Sequence, residues 1–520
     1  MQVYVHLHHS TMRYRPVYQT LAIGITISVL ALCYDYWATR VNPYSEDTWV
    51  TPFFTTSIES DGSLRIAKVR DPQVVHLPLA PLVLYAEIVR ESILRLLGRD
   101  ADGPLEGKED EIIAALHAER FDPAQAYVIT GGHFPDLYVR NLGIFYSSLL
   151  DARIPASEED WLNRQRLTLQ TLATHLELLR MAGKEYTTFA PVGPRAFAAI
   201  NWNDEPSDSL FAITYTLRAA TDDSFISRRL PAPEADGSAP AHRLATQHAA
   251  DGLLGEYRPV IEKELARYLT LVMDPATGLV KKEVALSGAR DNVRQESGFY
   301  DNIIAYATAR DAAALGLSFP CPARYSSSSS CDFAQWKKRI VLTFWREENN
   351  GSGLFLDDLS ANSLREKTFT GEAFLALPTG FLDISDEADR ATLFKMIMYV
   401  KSHGLDIPFP LPYAATDDRS KASNFLVGMS SYAGHSIWSH LGQAYIQALI
   451  LLSPDYPELY ADIHAHLEKY KINIETYGGY PELYNADGTL FTAPISRAVL
   501  RVGWVINYEQ TKMLSAAVHR

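Results

Sequence analysis

Two acidic segments far apart in the chain carry residue types suited to acid–base chemistry on a sugar. Residues 477–489 read Y-G-G-Y-P-E-L-Y-N-A-D-G-T and set one carboxylate, Glu482, directly after Pro481. Gly478 and Gly479 open backbone angles closed to other residues, and Pro481 fixes φ, so such a loop can hold a carboxylate at a set angle. Tyr477, Tyr480 and Tyr484 offer faces on which a sugar ring could stack, while N-A-D-G at 485–488 also reads as an ordinary turn. Upstream, Q-E-S-G-F-Y-D-N at 295–302 places Asp301 at a predicted helix start. A helix N-terminus favours the carboxylate anion. Service as an acid would therefore require burial or a carboxylate neighbour to raise the pKa. Ser297 or Asp301 could equally be a helix cap.

Other segments add polar and aromatic groups. The loop at 130–136, T-G-G-H-F-P-D, brings His133 and Asp136, with Arg140 four residues further on. Arg140 could hold sugar hydroxyls with its planar fork or pair with Asp136 at i, i+4. Residues 200–208, I-N-W-N-D-E-P-S-D, crowd Trp202, Asp204, Glu205 and Asp208 into one loop, and Asp208 could cap the helix that follows. Residues 430–438, S-S-Y-A-G-H-S-I-W, supply Tyr432, His435 and Trp438, the last a stacking platform or a core residue.

Helices must position these loops. Apolar spacing of three and four predicts helices over 82–97, 137–150, 158–181, 207–220, 253–272, 300–315, 333–344, 387–400, 436–452, 459–470 and 497–516. Short β segments are expected over 48–56 and 64–69. Helical hairpins closed in a ring would bring the intervening loops to one end, where they could share a pocket. No repeat of fixed period is present, which argues against a regular solenoid.

The motifs resemble those of the six-hairpin glycosidases. E-S-G-F-Y-D is similar to the E-S-G-aromatic-D segment of trehalases, whose Asp is the catalytic acid, with one extra residue before Asp301. G-G-Y-P-E resembles the late loop of glucoamylase-like enzymes, whose Glu is the general base. W-N-D-E-P-S-D-S-L-F is similar to their D-A-T-L-F helix start, which sets Asp208 at a sugar-contacting position. Y-A-G-H-S-I-W resembles Y-W-x-G-P-x-W at Tyr432, Gly434 and Trp438, and F-P-D-L-Y-V-R-N resembles W-x-R-D-T around Asp136 and Arg140. The likeness runs in order over residues 127–510. It departs at Asn141, where Asp is usual, at His435, where Pro is common, and at the extra residue, which leaves Glu296 as an alternative acid. The resemblance implies an all-α dominated (α/α)6 toroid hydrolysing terminal glycosidic bonds, usually α, with inversion. Asp301 would then be the acid and Glu482 the base, on carboxyls ~6.5–9.5 Å apart. Asp136, Arg140, Trp202, Asp204, Asp208, Glu296, Tyr432, His435, Trp438 and Tyr480 would contact an oligo- or polysaccharide substrate.

Composition narrows the partners. A net charge of −14 over 520 residues argues against nucleic acid. No metal or other cofactor is expected: no CxxC pair is present, and His435 and His440 miss the i, i+4 spacing of helical ligands. Residues 17–34 carry no charge and follow Arg13 and Arg15, so a transmembrane anchor over 17–38 is expected. The tail at 1–16 would be cytoplasmic, with a linker at 39–76 and a catalytic body at 77–520 outside; a cleaved signal and secretion are the alternative. Cys321 and Cys331 flank a serine-rich loop and could pair outside the cytosol. Asn350-Gly351-Ser352 has the form of a glycosylation sequon. A polysaccharide lyase, a sugar epimerase or a non-catalytic glycan-binding protein on the same helical ring are competing functions, since fold does not settle chemistry.

Overall fold

The computed structural model describes residues 42–45, 48–60, 62–77, 103–131, 136–143, 145, 148–151, 153–154, 157–193, 195–222, 224–230, 243–290, 293–326, 330–415, 432–492 and 497–518. The expected anchor at 17–38 and the expected helix at 82–97 lie outside these residues. Among the described residues, no helix is long and apolar enough to cross a membrane.

The fold is mostly helical with small sheets. Its long helices are α1 (Glu109–Arg120), α2 (Glu158–Ala182), α3 (Ser209–Thr221), α4 (Arg243–Val272), α5 (Phe299–Ala314), α6 (Phe333–Phe344), α7 (Glu387–Ser402), α8 (Ser439–Leu452), α9 (Tyr460–Tyr477) and α10 (Val505–Val518). Two 3₁₀ segments, Val139–Leu142 and Gly371–Ala376, stand among them.

Sequence pattern separates buried segments from peripheral ones. Every residue of α8, S-H-L-G-Q-A-Y-I-Q-A-L-I-L-L, is buried, as is every residue of Gly371–Ala376. A helix apolar all round belongs inside. By contrast α6 buries only Trp336, Ile340 and Phe344, and α9 only Ile463, His466, Tyr470 and Ile474, one stripe each. The buried segments touch in succession: Val139–Leu142 on α3, α3 on α5, α5 on Gly371–Ala376, that segment on α8, and α8 on α10. Asn507 and Gln510 of α10 then reach the turns that follow the first segment. The Asn507 amide donates to the Phe145 carbonyl at 2.6 Å, and the Gln510 amide to the Asp151 carboxylate at 2.6 Å. In chain order each buried segment is preceded by a more peripheral helix: α1, α2, α4, α6, α7 and α9.

Where a helix is expected over 137–150, the described residues form one 3₁₀ turn, Val139–Leu142, and turns at 143, 145 and 148–150. Asn507 takes up the Phe145 carbonyl that a helix would have used. At the N-terminal side β1 (Asn42–Ser45), β2 (Thr48–Val50), β3 (Phe54–Ile58) and β4 (Leu64–Lys68) form an antiparallel meander. It covers α2, through the Gln170 amide on the Thr56 hydroxyl at 2.8 Å and Lys68 on buried Glu177 at 3.0 Å. This cover explains why α2 is buried around most of its surface. The expected linker also joins the body further on. β5 (Gln73–Val75) pairs in parallel with β7 (Ala196–Ile200), itself hairpinned to β6 (Thr188–Gly193), and Phe53, Phe54 and Leu64 belong to the main core.

Cys321 and Cys331 are disulfide-bonded, with Cα atoms 5.5 Å apart, closing the loop ahead of α6. Loop-closure entropy for a ring this small is worth ~3 kcal/mol. A Cys321→Ser/Cys331→Ser protein should therefore lose ~2–3 kcal/mol in urea unfolding. An unchanged midpoint would show that the loop is held without the bond.

Candidate functional site

Two short strand pairs fix the loops at the N-terminal ends of the buried helices. β8 (Glu205–Pro206) pairs in parallel with β9 (Leu286–Ser287), which holds the start of α3 beside the segment leading to α5. β12 (Ile437–Trp438) pairs with β13 (Leu483–Tyr484), which holds the Glu482 loop against the start of α8. Peripheral helices α2, α6 and α7 are capped by the side chains of Ser157, Asp332 and Asp386. The inner helices α3, α5 and α8 have no side-chain cap bond, although Asp208 occupies the cap position of α3.

The Asp208 carboxylate turns instead to α5 and accepts from the Tyr300 hydroxyl at 2.9 Å. Asp301 follows Tyr300, and neither it nor Ser297 caps α5; the cap position is Gly298. A Cβ on Gly298 would sit 2.8 Å from Asp301 Oδ2 and 2.8 Å from Gln295 Oε1, so only glycine lets the carboxyl lie there. Ser297 before it has φ of 56°, a left-handed conformation that costs a non-glycine residue of order 1 kcal/mol. The Gln295 amide donates to Asp357 Oδ1 at 2.6 Å. Arg290 pairs with Asp357 and, at 3.1 Å, with Glu372. Asp208, Asp301, Asp357, Glu372 and Arg290 are all buried.

Electrostatics follow from this crowding. Burial, then the nearby charge of Glu372, hold the Asp301 carboxyl well above the ordinary carboxylate range; Asp208 and Asp357 add to the effect, and a Ser207 hydrogen bond offsets part of it. Burial also pushes Glu372 up to about 7 against the pull of Arg290. The Arg290 guanidinium loses by burial but gains more from Asp357 and Glu372, so its pKa is raised. The helix dipole works against a neutral Asp301, at ~0.3–2 kcal/mol. Desolvation can shift a fully buried acid by ~3–5 pKa units, which is the larger effect.

An aromatic wall adjoins the acids. Tyr413 gives its hydroxyl to the Ala289 carbonyl beside Arg290, and its ring meets Trp438 at 4.9 Å. His440 lies among Trp504 at 4.7 Å, Phe145 at 4.8 Å, Trp438 at 5.6 Å and Tyr413 at 6.1 Å, between ring centroids. Phe145 stacks on Trp504 at 5.2 Å. Arg140 donates to the Gly288 carbonyl at 2.7 Å and lies 5.9 Å from the Phe145 ring centre. His440 is 4% exposed, and among the described residues neither ring nitrogen has a hydrogen-bond partner. The same holds for Trp504 Nε1 and Glu372 Oε1. Burial, and next the Arg140 charge, pull the His440 pKa down to about 3, so the imidazole is neutral.

Glu482 is buried in a loop held by backbone on both sides. Its N–H donates to the Val499 carbonyl at 2.8 Å, and its carbonyl accepts from the Ser439 N–H at 3.1 Å. The Ser439 hydroxyl also donates to the Pro481 carbonyl. Glu482 is thus attached to the turn that carries Trp438 and His440, and through Tyr413 that turn adjoins Arg290.

The other expected residues divide. Asp136 is fully buried. Half-buried Tyr432 meets Trp438 at 4.9 Å and accepts the Trp438 indole N–H on its carbonyl; His435 is half-buried and directly follows Gly434, whose carbonyl accepts the Ala414 N–H. Four others are engaged elsewhere or packed as core. Glu296 is exposed and pairs with Lys282 at 3.7 Å, so it is not among the buried acids. Tyr480 is fully buried, at 5.8 Å from Tyr508 and 6.1 Å from Tyr470, and packs as core rather than offering a free face. Asp204 accepts the Ala285 N–H at 3.1 Å, a strand-pairing role. Trp202 packs with Ala190, Ala198 and Ile200 on the β6–β7 hairpin. His133 lies outside the described residues. Glu372, Asp357, Arg290 and Trp504 were not singled out by sequence. Of these only the Asp357-Asp358 pair before a turn offered a local signal.

Among the described residues no three His, Cys, Asp or Glu side chains group as metal ligands. Comparison with protein-family models and with curated proteins found no match.

His440 offers a test of this electrostatic description. Its pKa is depressed in the folded chain, so its stabilising contribution is complete above the unfolded value of 6.5 and is lost as pH falls towards 3. The slope is ~1.4 kcal/mol per pH unit at most. The stability gap between the native protein and His440→Asn should therefore narrow by ~2 kcal/mol between pH 7 and pH 5 in urea unfolding. A gap independent of pH would mean that His440 is hydrated or charged.

Proposed function

We propose that this chain is a glycoside hydrolase that cleaves a terminal, α-linked glycosidic bond of an oligo- or polysaccharide with inversion. Asp301 protonates the leaving oxygen and Glu482 activates water on the opposite face of the ring. The observation that carries this reading is Asp301 itself: a buried carboxyl among three others, whose burial and like-charged neighbours raise its pKa well above the ordinary range. A general acid needs its proton at the working pH, and enzymes tune carboxyls upward by burial and like charge to keep it. The clamped Glu482 loop and the aromatic wall around His440 support it further, since flat rings and a few polar groups suit a sugar. The motif resemblance points the same way.

The proposed architecture is an (α/α)6 toroid, with the six buried segments as its inner ring. Their order of contact and their alternation with peripheral helices fit that fold. An extracytoplasmic body anchored through residues 17–38 accords with the 321–331 disulfide, a bond that persists in oxidising compartments.

Asp301→Asn and Glu482→Gln should each lower kcat by at least ~10² on a cleaved glycoside while leaving ligand affinity nearly intact. Full activity in either would overturn the assignment. The rate should also fall on the alkaline side as Asp301 loses its proton. Glu372→Gln removes a negative neighbour, so Asp301 should ionise earlier and this limb should move to lower pH. An unmoved limb would separate Glu372 from the acid.

A further inference from the structure

The turn between β10 (Trp345–Glu347) and β11 (Gly353–Phe355) carries Asn350-Gly351-Ser352, the sole Asn-x-Ser/Thr sequence in the 520 residues. Asn350 is exposed at the tip of this hairpin. Its side-chain oxygen accepts two hydrogen bonds from the sequon serine, from the Ser352 N–H at 3.0 Å and from the Ser352 hydroxyl at 2.7 Å. Its amide nitrogen has no hydrogen-bond partner among the described residues. A hydroxyl donating to the amide oxygen draws electron density from the carbonyl and leaves the nitrogen pointing outward. Gly351 makes this possible at φ of 82°, with no atom within 4 Å of the place its Cβ would take.

The hairpin is firmly held. The Glu348 N–H donates to the Ser352 carbonyl at 2.8 Å, Lys367 pairs with Glu348 at 2.7 Å, and Trp345 packs on Phe355 at 5.0 Å. The tip lies at the opposite end of the hairpin from Asp357, which follows β11 into the buried acids. A bulky group on Asn350 would therefore project into solvent and leave the site open.

We infer that Asn350 is an N-glycosylation site, modified with an oligosaccharide from a polyisoprenyl-diphosphate donor. In the transfer, Asn350 Nδ2 forms a bond to C1 of the first sugar and gives up one proton. The bond from C1 to the diphosphate oxygen breaks, and the polyisoprenyl diphosphate leaves. No oxidant or reductant is involved. The inference rests on the extracytoplasmic placement proposed above, and the disulfide reports on that placement separately.

The test is peptide mapping of the full chain produced in a eukaryotic secretory host, before and after peptide N-glycosidase treatment in ¹⁸O-water. The expected result is conversion of Asn350 to ¹⁸O-labelled aspartate, with a gel shift that Asn350→Gln and Ser352→Ala both abolish and Ser352→Thr retains. An unmodified Asn350 in chains whose Cys321–Cys331 bond has formed would overturn the site alone. An unmodified Asn350 in chains with free thiols would overturn the site together with the placement.

Discussion

Four buried carboxyls and one buried guanidinium set the terms for the centre of this molecule. Arg290 answers Asp357 and Glu372 directly, while Tyr300 gives Asp208 a hydroxyl and Ser207 does the same for Asp301. A hydroxyl adds a hydrogen bond and no charge. Unpaired buried anions cost several kcal/mol each even after relaxation. Protons are the cheapest remedy, and Asp301 and Glu372 are the groups whose pKa values rise to take them. The charge pattern that makes Asp301 a candidate acid is thus a consequence of how the core is filled.

The fold arranges this crowding by directing inner helices to one end and leaving them without side-chain caps. Asp208 stands where a capping residue belongs, yet its carboxylate spans to Tyr300 on the next inner helix. Gly298 removes the Cβ that would push Asp301 aside. On the opposite wall, α8 carries a polar stripe of His440, Gln443 and Gln447 through an otherwise apolar sequence. The Gln447 amide meets Gln510 and Thr511 of α10 at 3.3 and 3.2 Å. His440 begins the same stripe among rings, with no partner for either ring nitrogen among the described residues. Gln443, between them, likewise has no hydrogen-bond partner for its side-chain amide among the described residues, so only the far end of the stripe is paired.

Much of this was readable where spacing was local. Trp336, Ile340 and Phe344 marked α6 to both of its ends, and the glycines and proline around Glu482 marked a stiff loop before its partners were known. Readings failed where a distant residue decided. The 137–150 segment has helical spacing, but Asn507, far along the chain, takes its backbone. The β6–β7 hairpin was hidden by Pro191, which is tolerated because β6 is an edge strand with a register shift there. Tyr480 was read as a sugar face because nothing nearby shows that Tyr470 and Tyr508 enclose it. Glu372, between Gly371 and Ala373, has no local signature at all. It belongs to the site through Arg290, 82 residues earlier.

The protonation state of Asp301 is the quantity on which the account stands. It can be measured as the infrared band of its protonated carboxyl, taken as the difference between the native protein and Asp301→Asn across a pH titration. A band that persists well above the ordinary aspartate value of 3.8 is the predicted result. A band that titrates away at that ordinary value would mean that Asp301 is solvated and anionic, and the proposed acid would be lost.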